Sequence, residues 1–344
     1  MNRKQRNIIL LLVLAVILTV FVSSGLGAVS ISVKSTFSVL LKAVGIDVWE
    51  HTNEESLVFW LIRFPRVLFA LVIGGCLAVT GASMQGLFRN PLADPSIIGI
   101  SGGSAMSAAI FIVLGGGLLF SIPIIGELSL SIVAFFGALA TTAVVFVISI
   151  KRGNSDVSTM LLAGIAINAL AAAVTGFLTY LANDEQLRDL TFWTLGSLGG
   201  ATWNKLAILS LIVVVPIVQL IRHSKSLNAL ALGEDEAAHL GVNVAKLKRM
   251  IVIHTAIIMG TTVSFCGIIG FIGLVVPHIL RIAGGAGNHF VLLGSLFGGM
   301  FILLFSDTIA RTIAAPTEIP IGVITALVGA PVFLSLLVSK KINH

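Results

Sequence analysis

The chain has 344 residues, 57% of them hydrophobic and only 10% charged, with a formal net charge of +6 and a mean hydropathy of +1.07. A soluble domain carries about a quarter of its residues charged, so this composition excludes one and describes a polytopic membrane protein in a lipid bilayer. The positive balance fits loops meeting anionic lipid and argues against a nucleic-acid partner.

About 20 apolar residues cross a hydrocarbon core of about 30 Å. On that length the predicted spans are Ile8–Ala28, Leu57–Thr80, Ser96–Phe120, Leu128–Ile150, Ser158–Leu181, Trp203–Ile221, Met250–Gly267, Ile268–Ala283, Phe290–Ala310 and Ile319–Val338. The chain is therefore expected to be all-α, with about ten transmembrane helices forming a single domain over residues 1–344. The first apolar run exceeds a signal-peptide core, so an uncleaved helix is expected behind Arg3, Lys4 and Arg6. The eighth span is short and contains Gly270, Gly273 and Pro277, which predicts a bent or partial helix. Residues 188–200, RDLTFWTLGSLGG, read as a short outer helix that places Trp193 near the external entrance, although interfacial anchoring is the commoner job for Trp there.

With both termini inside, 14 of the 21 Lys and Arg fall in the cytoplasm. Outside are Lys34, Lys42, Arg63, Arg66, Arg188, Lys205 and Arg311. In RFPR, Pro65 suits the first turn of a helix, so Arg63 and Arg66 are expected on a rigid, outward-facing helix start. Two readings stand for them and for Arg311: snorkelling to headgroups, with an Asp307–Arg311 i,i+4 pair, or receiving carboxylates from an external protein.

The most polar stretch is SLNALALGEDEAAHLGVNVAKLKR, residues 226–249. Gly233 and Gly241 punctuate it, and Glu234, Asp235 and Glu236 stand where the positive end of a helix dipole favours acids. Two short amphipathic helices joined at a glycine are expected over about 224–246, on the cytoplasmic side. The segment reads either as a solvated interhelical loop or, since a mere connection needs no leucine-bearing face, as one whose Leu227, Leu230, Ala231, Ala238 and Leu240 meet a partner groove. The chain lacks a phosphate-cradling G-x-x-x-x-G-K-[ST] motif, so if it moves something uphill the energy is expected from another subunit.

Cys76 and Cys266 lie in apolar runs with no His or carboxylate at ligand spacing, which argues against a metal site and a disulfide framework; no cofactor is expected. GISGG at 99–103 fits G-x-S-x-G, so an intramembrane hydrolase using Ser101 and His254 can be drawn. The usual elbow joins a strand to a helix, whereas this one enters a helix rich in small residues; packing is the simpler role, and no catalytic residue is assigned. An ion-coupled secondary transporter is the other rival class. Its spans would carry a scatter of acids, and Asp307 is the clear one here.

Four motifs, RFPRVLFALVIGGCLAVTGASMQGLFRNPLADPSIIGISGGSA, ALGEDEAAHLG, GFIGLVVPHILRIAG and EIPIGVITALVGAPVFL, resemble the permease subunits of bacterial ATP-driven importers for iron-siderophores, haem and cobalamin. The resemblance covers almost the whole chain. It implies a BtuC-like, type II importer permease fold, a second permease copy or paralogue, two cytoplasmic ATPase subunits and an external solute-binding protein. It makes Leu230, Leu232, Gly233, Glu234, Asp235, Glu236, Ala237, His239, Leu240 and Gly241 the ATPase-coupling residues. It makes Arg63, Arg66 and Arg311 the docking residues, and sets the cytoplasmic gate at Val157 and Ser158. EAAHLG is one residue short of the EAA-x-x-x-G signature of other importers, so it does not assign the chain to their fold. The expected cargo is an iron-siderophore, with haem or cobalamin as the alternative. Which of Met160, Asn168 and Thr175 faces the path stays open.

Overall fold

The structure is a computed structural model that describes residues 1–27, 38, 52–115, 128–151, 154–315 and 317–342. Lys34, Lys42, Arg152 and the ends of the first and third predicted spans lie outside them. In chain order the helices are α1 (Arg3–Gly25), α2 (Asn53–Phe88), α3 (Ile100–Gly115), α4 (Ser129–Ile148), α5 (Val157–Leu181), α6 (Asp184–Leu195), α7 (Trp203–Arg222), α8 (Ser224–Leu232), α9 (Glu234–His239), α10 (Val244–Cys266), α11 (Ile272–Gly284), α12 (Asn288–Ile313) and α13 (Ile321–Ile342). A two-stranded antiparallel hairpin, β1 (Ile150–Lys151) and β2 (Asn154–Ser155), joins α4 to α5.

Among the described residues, seven helices are long and apolar enough to cross a membrane, and α3, α11 and α13 are shorter apolar helices. Each of the ten predicted spans meets one of these. The eighth is α11, only 13 residues long; the chain reaches it through a non-helical turn ending at Phe271, whose φ is +70°.

Most of α2 is buried, and α12, α11, α10 and α7 pack around it. Small residues set the spacing. A Cβ on Gly74 would overlap the Gly299 carbonyl of α12, and one on Gly81 would overlap the Gly273 carbonyl of α11. At both crossings the backbones touch, which only glycine allows. Gly74 and Gly81 both belong to the stretch GGCLAVTGA, which thus serves close helix packing. Gly294 and Gly298 do the same against Leu280 and Val276 of α11.

Three boundaries differ from expectation. Pro65 does not start a helix: α2 begins twelve residues earlier at Asn53, capped by Thr52. A π turn over Phe59–Arg63, with the Phe64 N–H bonded to the Phe59 carbonyl, absorbs the proline, which has no N–H to give. The short outer helix is Asp184–Leu195 rather than 188–200. An Asn183–Gln186 capping box starts it, and Gly196 at φ +73° ends it. Ser96 precedes α3 in a 3-10 turn, Pro95–Ile98, capped by Asp94.

Candidate functional site

Two polar centres lie at opposite ends of the bundle. The first contains the predicted coupling segment. It folds as α8 and α9 joined at Gly233, whose φ of +141° lets the chain turn between them. Glu234, Asp235 and Glu236 occupy the first turn of α9, where the helix dipole favours them.

The leucines divide between two jobs. Leu227 and Leu230 are buried, Leu227 lying against Gly86 of α2, so this face belongs to the chain's own bundle rather than to a partner groove. Apolar side chains at helical spacing do not announce which protein will cover them. Leu232 and Leu240 are exposed beside the α8–α9 and α9–α10 junctions, as are Asp235, Glu236, His239 and Gly241, whereas Ala237 is buried. The Asn288 N–H donates to Asn228 Oδ1 (2.9 Å), and Gln5 Nε2 donates to the Gly284 carbonyl (2.9 Å). These bonds put the coupling segment and the amino terminus on one face of the bundle.

That face also carries the start of α5. Asp156 caps it by accepting from the Thr159 N–H (2.9 Å) and hydroxyl. Val157 is half-buried and Ser158 exposed. Lys248 of α10 lies between α9 and this helix start. Its Nζ donates to both Glu234 carboxylate oxygens, each at 2.7 Å, and to the Ser155 carbonyl at 2.9 Å. Sequence reasoning counted Lys248 only as one more inside charge, because the bonds join residues 93 and 14 positions apart.

Of the candidate path residues, Met160 is buried, Asn168 donates from Nδ2 to the Ser96 carbonyl (3.0 Å), and Thr175 has its hydroxyl buried without a hydrogen-bond partner among the described residues. All three therefore turn toward the chain's own bundle. The uncovered face of α5 carries Leu162, Ile165, Leu170, Phe177 and Tyr180, interspersed with alanines and Gly176.

The second centre, at the opposite face, is an arginine–carboxylate network. Arg66 Nε and Nη2 fork onto Asp307 (3.1 and 2.8 Å to Oδ1), and its Nη1 meets Glu318 at 2.7 Å. Arg311 reaches Asp307 at 3.5 Å and donates to the Ser23 carbonyl and hydroxyl. Arg63 donates to the carbonyls of Ser24 (3.1 Å) and Gly25 (2.7 Å) at the end of α1. The three arginines, Arg63, Arg66 and Arg311, are 4, 8 and 5% exposed. An outward-facing pair is thus not what α2 presents: its helix continues past Arg63, and burial in a low dielectric demands partners for each charge. The i,i+4 pair of Asp307 and Arg311 exists, but the shorter bonds of Asp307 go to Arg66. Glu318, half-exposed, joins the network from the EIPIGV motif.

Trp193 is on this second face. It borders a cavity of about 400 Å³ together with Phe111, Glu185, Asp189 and Phe192. The hydrolase constellation is not assembled: Ser101 lies in the first turn of α3, preceded by the 3-10 turn and not by a strand, and shares no hydrogen bond with His254 of α10 among the described residues. Gly102 and Gly103 beside it press on Asn168 and Thr141, which is the packing role. Among the described residues no cluster of His, Cys, Asp or Glu suits a metal ion.

Residues 12–339 match the model of the FecCD transport family. A hemin transport system permease protein, HmuU, of Yersinia pestis is 42% identical over 333 residues, covering 96% of this chain and 95% of that one. A cobalamin import system permease protein, BtuC, of Halobacterium salinarum is 40% identical over 82% of this chain and 73% of its own. A solved inward-facing structure of an ABC transporter assigned to the metal-chelate type superposes with a TM-score of 0.83 at 31% identity, covering 97% of this chain and 99% of that one.

Proposed function

Since the chain belongs to the FecCD transport family, a family of multi-pass membrane permeases, we propose that it is the membrane subunit of an ATP-driven haem importer. The observation that carries the cargo is the identity of 42% with a hemin permease along nearly the entire chain. Cobalamin is the second reading, supported by the relative at 40%. The iron-siderophore expected from the motifs becomes the competitor in the test. The uncovered face of α5 supports a flat, largely apolar cargo: from Val157 to Leu181 that helix carries no charged residue, and Phe177 and Tyr180 offer aromatic surface.

In this reading the face bearing the amino terminus is cytoplasmic, as the distribution of Lys and Arg favours. ATPase subunits grip α9 and the junctions at Leu232 and Leu240, a second permease copy or paralogue covers the exposed side of α5, and Val157 and Ser158 close the inner end of the path. Closure of the ATPases on ATP moves α9, and alternating access follows from two discrete packings of stiff helices. An external solute-binding protein docks at the opposite face. Arg63, Arg66 and Arg311 remain the docking candidates, and Arg66 is reachable only where Glu318 swings aside, since that carboxylate is the half-exposed member of the network.

The test is reconstitution of permease, ATPase and binding protein in liposomes. Haemin uptake that requires ATP, with a ferric siderophore and cobalamin excluded, supports the reading. Binding-protein fluorescence quenched by a siderophore and not by haemin would sink the haem assignment.

A further inference from the structure

The side chain of Lys248 is 97% buried, and its ammonium has three protons to donate. All three are used: two on the carboxylate of Glu234, the first residue of α9, and one on the carbonyl of Ser155. Ser155 ends β2, and the next residue, Asp156, is the N-cap of α5. The Asp156 N–H in turn bonds the Ser149 carbonyl at 2.9 Å, closing the hairpin behind it. One side chain therefore joins α9 to the root of α5. α8, by contrast, is fixed to α2 and α12 through Leu227, Leu230 and the Asn228–Asn288 bond. The turn at Gly233, at φ +141°, sets the axis of α9 apart from that of α8.

We propose that Lys248 is a positioning residue that carries the displacement of α9 to the first turn of α5. The bond to the Ser155 carbonyl is buried and cannot be traded for water at low cost, whereas the Glu234 carboxylate is 40% exposed, so the link is firm at the root of α5 and short, at 2.7 Å to both carboxylate oxygens, at α9. The inference rests on the proposal that α5 moves when ATP binds. The rival role for Lys248 is to neutralise Glu234 for folding alone.

The experiment uses the reconstituted complex of permease, ATPase and binding protein carrying Ser158→Cys at the exposed inner end of α5. The readout is the maleimide labelling rate with and without ATP plus vanadate, which needs no cargo. The parent should change its rate on trapping. Lys248→Met should still copurify with and support hydrolysis by the ATPase, while the labelling response falls roughly tenfold, within the range of a typical coupling free energy. Lys248→Gln keeps a polar end beside the part-exposed Glu234 and guards against a single variant that fails to fold; it should assemble with parental thermal stability and lose most of the response. A parental response in either assembled variant overturns the relay and leaves Lys248 a folding residue. A parent that does not respond removes the α5 gate and the relay together, and leaves the cargo assignment untouched.

Discussion

Asp307 is wholly buried and holds two arginines, so its charge is what allows Arg66 and Arg311 to stay inside the bundle. Asp307→Asn should destabilise the permease by about 3–5 kcal/mol, the usual result of leaving a buried charge unpaired, read as a lowered unfolding midpoint in detergent. Glu318 differs. Its carboxylate is half-exposed, so its bond to Arg66 contributes about 1 kcal/mol or less. Glu318→Gln should leave the midpoint nearly unchanged and strengthen binding-protein docking, because Arg66 then lacks an internal competitor. Weaker docking, measured by equilibrium titration at moderate salt, would count against Arg66 as a receiver of external carboxylates. Arg63 and Arg66 were legible in the sequence as unusual, because arginines in an apolar chain stand out. Their partners were not, since Asp307 and Glu318 lie 241 and 252 positions from Arg66, and the Ser24 and Gly25 carbonyls 39 and 38 from Arg63.

Glycines set the behaviour of the elements in two ways. At Gly74 the α2 and α12 backbones meet, and a Cβ would overlap the carbonyl of Gly299. Gly74→Ala should push the helices apart at about 1–3 kcal/mol, the ordinary cost of overpacking, again seen in the unfolding midpoint. At Gly233 the constraint is conformational: φ is +141° and a Cβ would collide with the Glu236 carboxylate. Gly233→Ala should cost about 1–3 kcal/mol locally, misplace α9, and lower ATP-driven transport while the bundle stays folded. Normal transport per ATP hydrolysed would show that the turn is dispensable. The α8–α9 break was readable, because glycine punctuation and an acidic first turn are local signals. The start of α2 was misread because Pro65 normally marks a helix start, and a π turn, which the sequence does not announce, carried the helix past it.

For the whole molecule, the decisive expectation is that transport stops when ATP is depleted and survives collapse of the proton gradient, measured as haemin uptake into liposomes. Residues 226–249 should react with membrane-impermeant reagents only from the ATP side. The membrane class, about ten spans, the all-α fold and the polar segment followed from the sequence alone, because hydropathy and helix punctuation act over about 20 neighbouring residues and need no partner in space. The direction of each side chain did not. Burial of Leu227 and Leu230 against the bundle, the internal engagement of Arg63, Arg66 and Arg311, and the junction of α9, α10 and α5 at Lys248 were decided only by tertiary packing. The physical reason is that a charge or an apolar face in a low-dielectric bundle must be satisfied by whatever segment folding brings against it, and a linear pattern states the need without naming the neighbour.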